Sequence, residues 1–220
     1  MKSTLPEKER IYERMTARMM YERNKHLLLP ENMRLLKPEE KRQLLTDFKN
    51  IELAMCREEY ATYVQYVHEG RWIPGKLHLF ICNAVQDFLK RNTGHPYDVL
   101  LLSVPPQHGK SITLTETLPS WYMGNHPYGR VIIGSYNKEQ ARKFGRRNKE
   151  KIVKFGKTIF GISLSAKKTA DDNFELMNGI SVCLSHGVRS GITGNPANLF
   201  IIDDPIKDRE EADSVAFREK

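Results

Sequence analysis

The sequence contains little of what marks disulfide-bonded or zinc-binding proteins. Only three cysteines occur in 220 residues, at Cys56, Cys82 and Cys183. Their number is odd, they lie far apart and none belongs to a C-x-x-C pair, so the sequence indicates neither a disulfide framework nor a structural zinc site. Free cysteines usually pack as small buried apolar side chains. We therefore expect all three thiols in the core.

Long apolar runs are missing as well. A membrane-spanning helix needs about 20 consecutive apolar residues, and no stretch of the chain approaches this length. The N-terminal segment MKSTLPEKERIYERM lacks the apolar centre of a signal peptide. These absences predict a soluble, intracellular protein that is not secreted and has no membrane partner. Its length and its 40% hydrophobic content predict a globular domain with a sizeable core.

The charge is unevenly distributed. The chain carries 35 Lys and Arg against 27 Asp and Glu, a net charge of +8, which permits a polyanionic partner without requiring one. Cations concentrate between residues 138 and 154, where the only acids are Glu139 and Glu150. This segment predicts a helix that contacts the phosphate backbone of DNA, with a solvated surface helix as the alternative. The candidate DNA-binding residues are Arg142, Arg146 and Arg147.

A candidate phosphate-binding loop lies at residues 104–111, VPPQHGKS. It follows the apolar run 99–104, which we expect to be a buried strand, and it precedes a helix-compatible stretch from Ser111. In the pattern G-x-x-x-x-G-K-[ST], backbone N–H groups and a helix N-terminus hold nucleotide phosphates. The second half of this pattern is intact, but Val104 replaces the first glycine and two prolines follow it. The position between a strand and a helix favours a phosphate loop over a chance match.

The loop residues then have expected roles. Lys110 is the candidate for binding the β- and γ-phosphates, and Ser111 is the candidate for direct ligation of Mg²⁺. We expect His108 to fill the loop rather than to act in catalysis. The residues expected to surround the nucleotide are Pro106, Gln107, His108, Gly109, Lys110, Ser111 and Ile112.

A second motif lies about a hundred residues later, where the apolar segment 198–204 ends in Asp203 and Asp204. This is the form of a Walker B strand, whose carboxyl end presents an acid to the Mg²⁺ beside the phosphates. Ligands of open α/β sheets bind beyond the carboxyl ends of the strands, so this end and the 104–111 loop should meet. Asp203 is the candidate for holding Mg²⁺ through a water molecule, and Asp204 is the candidate catalytic acid that orients the attacking water. Together the two motifs predict a site for a nucleotide and Mg²⁺.

The predicted elements follow one another as in an α/β protein. Helices are predicted at 3–28, 38–68 and 78–91, and strands at 99–104, 130–135, 174–177, 180–184 and 198–204. The pair Asn178-Gly179 predicts a hairpin between two of these strands. We expect a P-loop NTPase fold with a mostly parallel central sheet flanked by helices. Residues 1–60 would form an N-terminal helical extension, and residues 61–220 the ATPase domain.

From residue 72 to residue 219 the chain resembles the ATPase domain of tailed-phage terminase large subunits. The segments that carry the resemblance are PPQHGKS, LPSWYMGNHP, VIIGSYNKEQARKFGRR, GVRSGITGNPANLFIIDDPIKD and EEADSVAFRE. The resemblance implies an ATPase of the ASCE type that moves double-stranded DNA into a prohead, in the host cytoplasm and transiently at the prohead. It also implies a portal protein, a small terminase subunit and further copies of the chain in a ring as partners. The chain looks like a motor domain without the family's nuclease half and coupling motif, so we expect no nuclease activity.

A ring motor also needs a cation that stabilises the transition state, commonly an arginine from a neighbouring subunit. Arg189 is the favoured catalytic candidate because its segment, GVRSGITG, is rich in glycine and small residues, as an inserting segment would be. Arg142, Arg146 and Arg147 are the other candidates. An ion pair of Arg189 with a local acid is the alternative to a catalytic role. Two other functions stay open at this point: a helicase-like or other P-loop DNA-dependent ATPase, and a nucleotide-binding module without turnover.

Overall fold

The computed structural model describes residues 16–188 and 194–206, and helices make up most of the first half of this part. The α-helices are α1 (Ala17–Asn24), α2 (Pro30–Leu35), α3 (Pro38–Glu58), α4 (Tyr60–Val67), α5 (Lys76–Leu89), α6 (Lys110–Thr113), α7 (Leu118–Asn125), α8 (Lys138–Lys151) and α9 (Lys157–Phe160). A 3₁₀ turn at Lys25–Leu28 follows α1, and a π-helical turn at Ile152–Gly156 joins α8 to α9. None of the described helices is long and apolar enough to cross a membrane.

The predicted helix 38–68 is divided into two helices because the helical backbone is interrupted at Glu59. The backbone of Glu59 is extended, with φ −124° and ψ 116°. The side-chain oxygen of Gln86 accepts a 2.7 Å hydrogen bond from the backbone N–H of Tyr60, one of the groups that a new helix leaves without an intrahelical partner. A side chain of α5 thus fixes the start of α4, which no local pattern predicts.

The strands of the described residues form one mixed sheet. They are β1 (Val131–Ser135), β2 (Leu164–Thr169), β3 (Asn173–Leu176), β4 (Val182–Gly187) and β5 (Leu199–Asp203). Their order in the sheet is β2-β3-β4-β1-β5. Strand β1 lies parallel to both β4 and β5, whereas β3 pairs antiparallel with β2 and with β4.

The expectation of a mostly parallel sheet is therefore wrong. A parallel pair needs a crossover connection of about a dozen residues or more, whereas antiparallel neighbours need only a short turn. The connections from β2 to β3 and from β3 to β4 are short, so these pairs are antiparallel. The parallel part of the sheet consists of β4, β1 and β5.

The predicted hairpin at Asn178-Gly179 is confirmed as the turn between β3 and β4. Gly179 adopts φ +69°, in the left-handed region that glycine enters at little cost. The side-chain oxygen of Asn178 accepts hydrogen bonds of 3.0 Å from the backbone N–H groups of Ile180 and Ser181. The turn residues therefore satisfy the backbone between the two strands.

The strand expected at residues 99–104 is absent from the sheet that the structure describes. Its side chains still alternate: Leu100, Leu102 and Val104 pack against the core, while Val99 and Leu101 are 78% and 88% exposed. Alternation reports which side chains face a core, but a strand also needs a neighbouring strand for its backbone groups. No described strand pairs with residues 99–104. The prediction of a buried strand here is therefore wrong.

The other predicted elements differ from the observed ones mainly at their ends. Residues 3–15 of the first predicted helix lie outside the described residues. Strand β2 is not predicted by the sequence, because four of its six side chains are exposed and its apolar alternation is weak. The helix predicted from residue 78 begins slightly earlier, at Lys76.

The core lies between the helices and one face of the sheet. Val131 and Ile133 of β1 and Cys183 of β4 are buried on this face together with Phe144 of α8. All three cysteines are buried free thiols, as expected. Burial raises the pKa of each thiol to about 12.

Helices on both sides of residue 60 are joined by hydrogen bonds to the later part of the chain. The indole N–H of Trp121 in α7 donates to the carbonyl of Cys56 in α3 at 2.9 Å. The hydroxyl of Tyr60 in α4 donates to the carbonyl of Thr113 in α6. These contacts position α6, where the candidate site begins. The boundary between an N-terminal extension and an ATPase domain at residue 60 stays a prediction.

Candidate functional site

The loop at residues 104–111, called the GKS loop below, turns sharply into α6. Gly109 precedes the helix with φ +70°, and Gln107 has φ +63°. Left-handed conformations are easy for glycine but uncommon for other residues, and they cluster at functional sites. The backbone N–H of Thr113 donates to the Gly109 carbonyl at 2.9 Å, which closes the first helical turn. The N–H groups that precede Thr113 in this turn have no acceptor within the helix.

Strand β5 ends at the carboxyl edge of the parallel part of the sheet. Its last residue, Asp203, is 5% exposed. Asp204 follows it with an exposed side chain and φ +44°. Ser135, the last residue of β1, pairs in register with Asp203. Two neighbouring parallel strands therefore end together in polar residues, at the edge where open α/β sheets bind ligands.

The GKS loop and the end of β5 meet through side chains. The Lys110 Nζ lies 2.6 Å from Asp204 Oδ1 and 3.2 Å from Asp203 Oδ1. The Ser111 hydroxyl donates a 2.8 Å hydrogen bond to Asp203 Oδ2. The structure thus brings together the four residues for which the sequence predicts the central roles.

The electrostatics of Lys110 reflect these contacts. Burial lowers the pKa of its ammonium group, but the hydrogen bonds and charges of Asp204 and Asp203 outweigh burial, so the pKa lies above its ordinary value. Lys110 is therefore a fully charged cation at neutral pH. The site presents this cation beside two carboxylates and one hydroxyl.

These groups fit a magnesium ion that is shared with phosphate. Mg²⁺ prefers hard oxygen ligands and is usually held by one or two carboxylates together with substrate phosphates and water. Ser111 and Asp203 supply such oxygens side by side. The buried hydroxyl of Ser135, next to Asp203 in the sheet, has no hydrogen-bond partner among the described residues. The described residues contain no cluster of three or more His, Cys, Asp or Glu that would form an all-protein metal cage.

The remaining predicted site residues lie on the rim of the loop or outside the described part. The Nδ1 of His108 donates to the carbonyl of Pro106 at 2.8 Å, a local bond within the loop. Ile112 of α6 is 43% exposed. Arg189, the expected transition-state cation, lies outside the described residues, and its role stays a prediction.

The three predicted DNA-binding arginines lie on the exposed side of α8. Arg142 is 3.7 Å from Asp171, while Arg146 and Arg147 are 3.8 and 3.6 Å from Glu150. Exposed ion pairs of this kind contribute only about 0–1 kcal/mol. A stronger polyanion can therefore displace them, and DNA contact by these arginines stays a prediction.

The comparison with known protein families agrees with this geometry. The family model described as terminase large subunit, T4likevirus-type, N-terminal, matches residues 101–219, which is just over half of the chain. The chain belongs to this terminase large subunit family. Membership confirms the predicted family and supports a terminase role in bacteriophage DNA packaging. No match was found among curated proteins or among solved structures.

Two aromatic residues that support the GKS loop precede the terminase match and were missed in the sequence. The indole N–H of Trp72 donates to the Thr113 hydroxyl of α6 at 3.2 Å. The Nδ1 of His78 accepts a 3.0 Å hydrogen bond from the Gly75 backbone N–H, and its Nε2 lies 2.9 Å from where a Cβ on Gly109 would be. No sequence spacing connects these residues to the loop, because tertiary packing alone brings them there.

Helix α8 supports the same region of the terminase domain from another side. The side-chain amide of Asn148 donates to the carbonyl of Thr115 at 2.8 Å. The ammonium group of Lys151 donates to the carbonyl of Glu116 at 2.7 Å. Burial lowers the pKa of Lys151 to about 8. Two polar residues of the basic helix are therefore committed to the backbone that follows α6 and not to a partner.

The substitution Gly109→Ala tests how far the GKS loop depends on this glycine. A left-handed backbone costs a residue with a Cβ about 1–2 kcal/mol, and the new Cβ would also press on His78. We expect the free energy of unfolding, measured in guanidinium chloride, to fall by about 1–3 kcal/mol.

Gly161→Ala is the matched control, because Gly161 has φ +72° and a Cβ at this residue would meet no atom within 4 Å. We expect a smaller loss of stability for Gly161→Ala. The extra loss of Gly109→Ala should disappear when His78→Ala is also present. Equal losses for both glycines, unaffected by His78→Ala, would contradict the contact.

Proposed function

We propose that this chain is the ATPase motor domain of a phage terminase large subunit, which hydrolyses ATP with Mg²⁺ to drive double-stranded DNA into a prohead. The observation that carries the proposal is the meeting of Lys110 and Ser111 with Asp203 and Asp204. A lysine and a hydroxyl on a loop before a helix, with acids at the end of a neighbouring strand, are the groups that P-loop phosphoryl transfer uses. The proposed loop departs from the usual pattern at Val104, so its backbone cradle would begin with a proline-rich turn.

Lys110 would exchange partners when the nucleotide binds. In the structure its ammonium group is neutralised by Asp204 and Asp203. The β- and γ-phosphates carry several negative oxygens, which form stronger charge-assisted hydrogen bonds than one exposed carboxylate. Lys110 would therefore turn from Asp204 to the phosphates and offset the charge that the transition state spreads over them.

Ser111 and Asp203 would hold Mg²⁺. The Asp203 carboxylate is buried and has both oxygens engaged, by Lys110 and Ser111, so its orientation is set before the ligand arrives. When bound, the ion would offset the negative charge of the phosphates. The protein's part is to present the two oxygens at a fixed separation.

Asp204 would orient the attacking water. Its carboxylate is exposed at the strand end and is released when Lys110 moves to the phosphates. Related motors usually carry Glu at this position, one methylene longer, so Asp204 would reach the water from closer to the backbone. Arg189 from a neighbouring subunit stays our candidate for the further cation that the transition state needs.

The exposed face of α8 would supply contacts with DNA. Arg142, Arg146 and Arg147 share this face, and the acids near them lie 3.6–3.8 Å away, at the long end of ion-pair distances. Duplex DNA offers a continuous row of phosphates that replaces such weak pairs and releases counterions. The portal and the small subunit would be the protein partners of the assembled motor.

Lys110→Ala tests the nucleotide site. Removing the cation should lower the turnover number for ATP at least about 100-fold, as loss of a preorganised charge at a phosphoryl group does. The circular dichroism spectrum should be unchanged. Lys90→Ala, at the exposed end of α5, is the control and should keep full turnover. Normal ATP turnover by Lys110→Ala would refute the assignment.

Asp204→Asn separates binding from hydrolysis. The amide keeps the shape of the side chain but removes the charge that competes for Lys110, so ATP affinity by calorimetry should stay equal or increase. The turnover number should fall by about 100-fold or more, because the group that positions the water is weakened. A loss of affinity with an unchanged turnover number would instead make Asp204 a binding residue only.

Replacing Arg142, Arg146 and Arg147 together by alanine tests the DNA surface. Affinity for duplex DNA, measured by fluorescence anisotropy, should fall, and the slope of log affinity against log salt should decrease by about 0.9 for each phosphate that is no longer neutralised. The control removes the same charge from the region of α2 and α3 through Arg34→Ala, Lys37→Ala and Arg42→Ala, all at exposed positions. If both triple variants weaken binding equally, only net charge matters and α8 is a surface helix.

A further inference from the structure

Ser135 is a buried polar side chain without a hydrogen-bond partner in the part of the chain that the structure describes. The residue is 1% exposed, and its hydroxyl makes no hydrogen bond to any described residue. An unsatisfied buried hydroxyl is unfavourable because it has lost its hydrogen bonds to water without gaining others. Folded proteins keep few such groups, and those they keep usually have a reason, such as a bound water or ion or a catalytic role.

The strand register places this hydroxyl beside Asp203. Ser135 and Asp203 are paired residues at the ends of the parallel strands β1 and β5. Side chains of a strand alternate between faces, and paired residues of neighbouring strands share a face. The residues that precede them on this face, Ile133 and Ile201, pack in the core that holds the helices. Ser135 and Asp203 therefore lie side by side on the face that meets the GKS loop.

Both oxygens of the Asp203 carboxylate already have partners other than Ser135. Asp203 Oδ2 accepts from the Ser111 hydroxyl at 2.8 Å, and Oδ1 lies 3.2 Å from the Lys110 Nζ. Under the proposed function, Lys110 leaves Asp203 for the phosphates, and Oδ1 then loses its donor. The Ser135 hydroxyl is a donor on the neighbouring strand. Neighbouring strands lie about 4.7–4.9 Å apart, a spacing across which a rotated hydroxyl or one water can connect paired side chains.

We propose that Ser135 is a positioning residue of the nucleotide site: its hydroxyl donates to Asp203, directly or through one water, when Lys110 turns to the phosphates, and so holds the carboxylate in place for Mg²⁺. This inference rests on the proposed function. Groups that orient a metal-binding carboxylate commonly change metal affinity by about 10- to 100-fold. Ser135 therefore acts on Mg²⁺ and not on the nucleotide itself.

Ser135→Ala tests the proposal through Mg²⁺-dependent binding of ADP, followed with a fluorescent ADP analogue, so that no turnover is needed. The Mg²⁺ concentration for half-maximal binding should rise about 10-fold, while binding of the analogue in EDTA should not change. Ser135→Thr, which keeps a hydroxyl, should restore the Mg²⁺ requirement of the unmodified chain.

The matched control is Ser185→Ala. Ser185 is a buried serine on the same face of the sheet, paired with Ile133 and away from the acidic strand end. Its hydroxyl has no hydrogen-bond partner among the described residues beyond the neighbouring Cys183 thiol, so the two serines differ in their place in the sheet and in this one contact. Ser185→Ala should leave the Mg²⁺ requirement unaltered. An equal shift for Ser185→Ala, or a loss of analogue binding by Ser135→Ala in EDTA, would overturn the proposal.

Stability without nucleotide gives a second readout. Because the Ser135 hydroxyl has no hydrogen-bond partner among the described residues, Ser135→Ala should unfold at the same or a higher guanidinium concentration than the unmodified chain. A marked fall would show that the hydroxyl has a structural partner and would overturn the proposal. If the unmodified chain binds no ADP analogue, with or without Mg²⁺, the proposed function fails. If the unmodified chain binds the analogue and Ser135→Ala shows the same Mg²⁺ requirement, only the role of Ser135 fails.

Discussion

The contact of Lys110 with Asp203 and Asp204 connects the two halves of the candidate site. It joins a loop in the middle of the chain to a strand end 94 residues later. One partner, Asp203, is buried and would be an uncompensated charge without Lys110 and Ser111, which is strongly unfavourable. The position of the GKS loop over the sheet therefore depends on this set of charges.

Packing around α6 keeps the loop in that position. Helix α6 has only one turn, so it contributes little stability of its own. Hydrogen bonds from Trp72, Tyr60 and Asn148 to its residues or to the turn that follows hold it from three directions. The early helices, the GKS loop and the basic helix α8 thus share one set of contacts, and a movement of α6 must carry these bonds along or break them.

The mixed sheet arises from the connections between strands and not from the composition of the strands. The hairpin at Asn178-Gly179 was visible in the sequence because a turn needs particular residues at particular places. The sequence did not show that residues 99–104 stay outside the sheet. Their side chains alternate as those of a strand do, but no described strand pairs with their backbone. A pattern of side chains predicts the face that is buried, but strand pairing is a property of two segments.

The sequence by itself determined the parts of the site that local chemistry defines. Gly109, Lys110 and Ser111 occur together at a loop before a helix, and Asp203 with Asp204 ends an apolar strand, so both motifs could be recognised from neighbouring residues. The tertiary structure alone decided that Ser135 lies beside Asp203, that His78 occupies the space next to Gly109, and that Gln86 accepts a hydrogen bond from the first residue of α4. These residues are brought together by strand register and helix packing, which depend on distant segments and leave no mark on the spacing of residues along the chain.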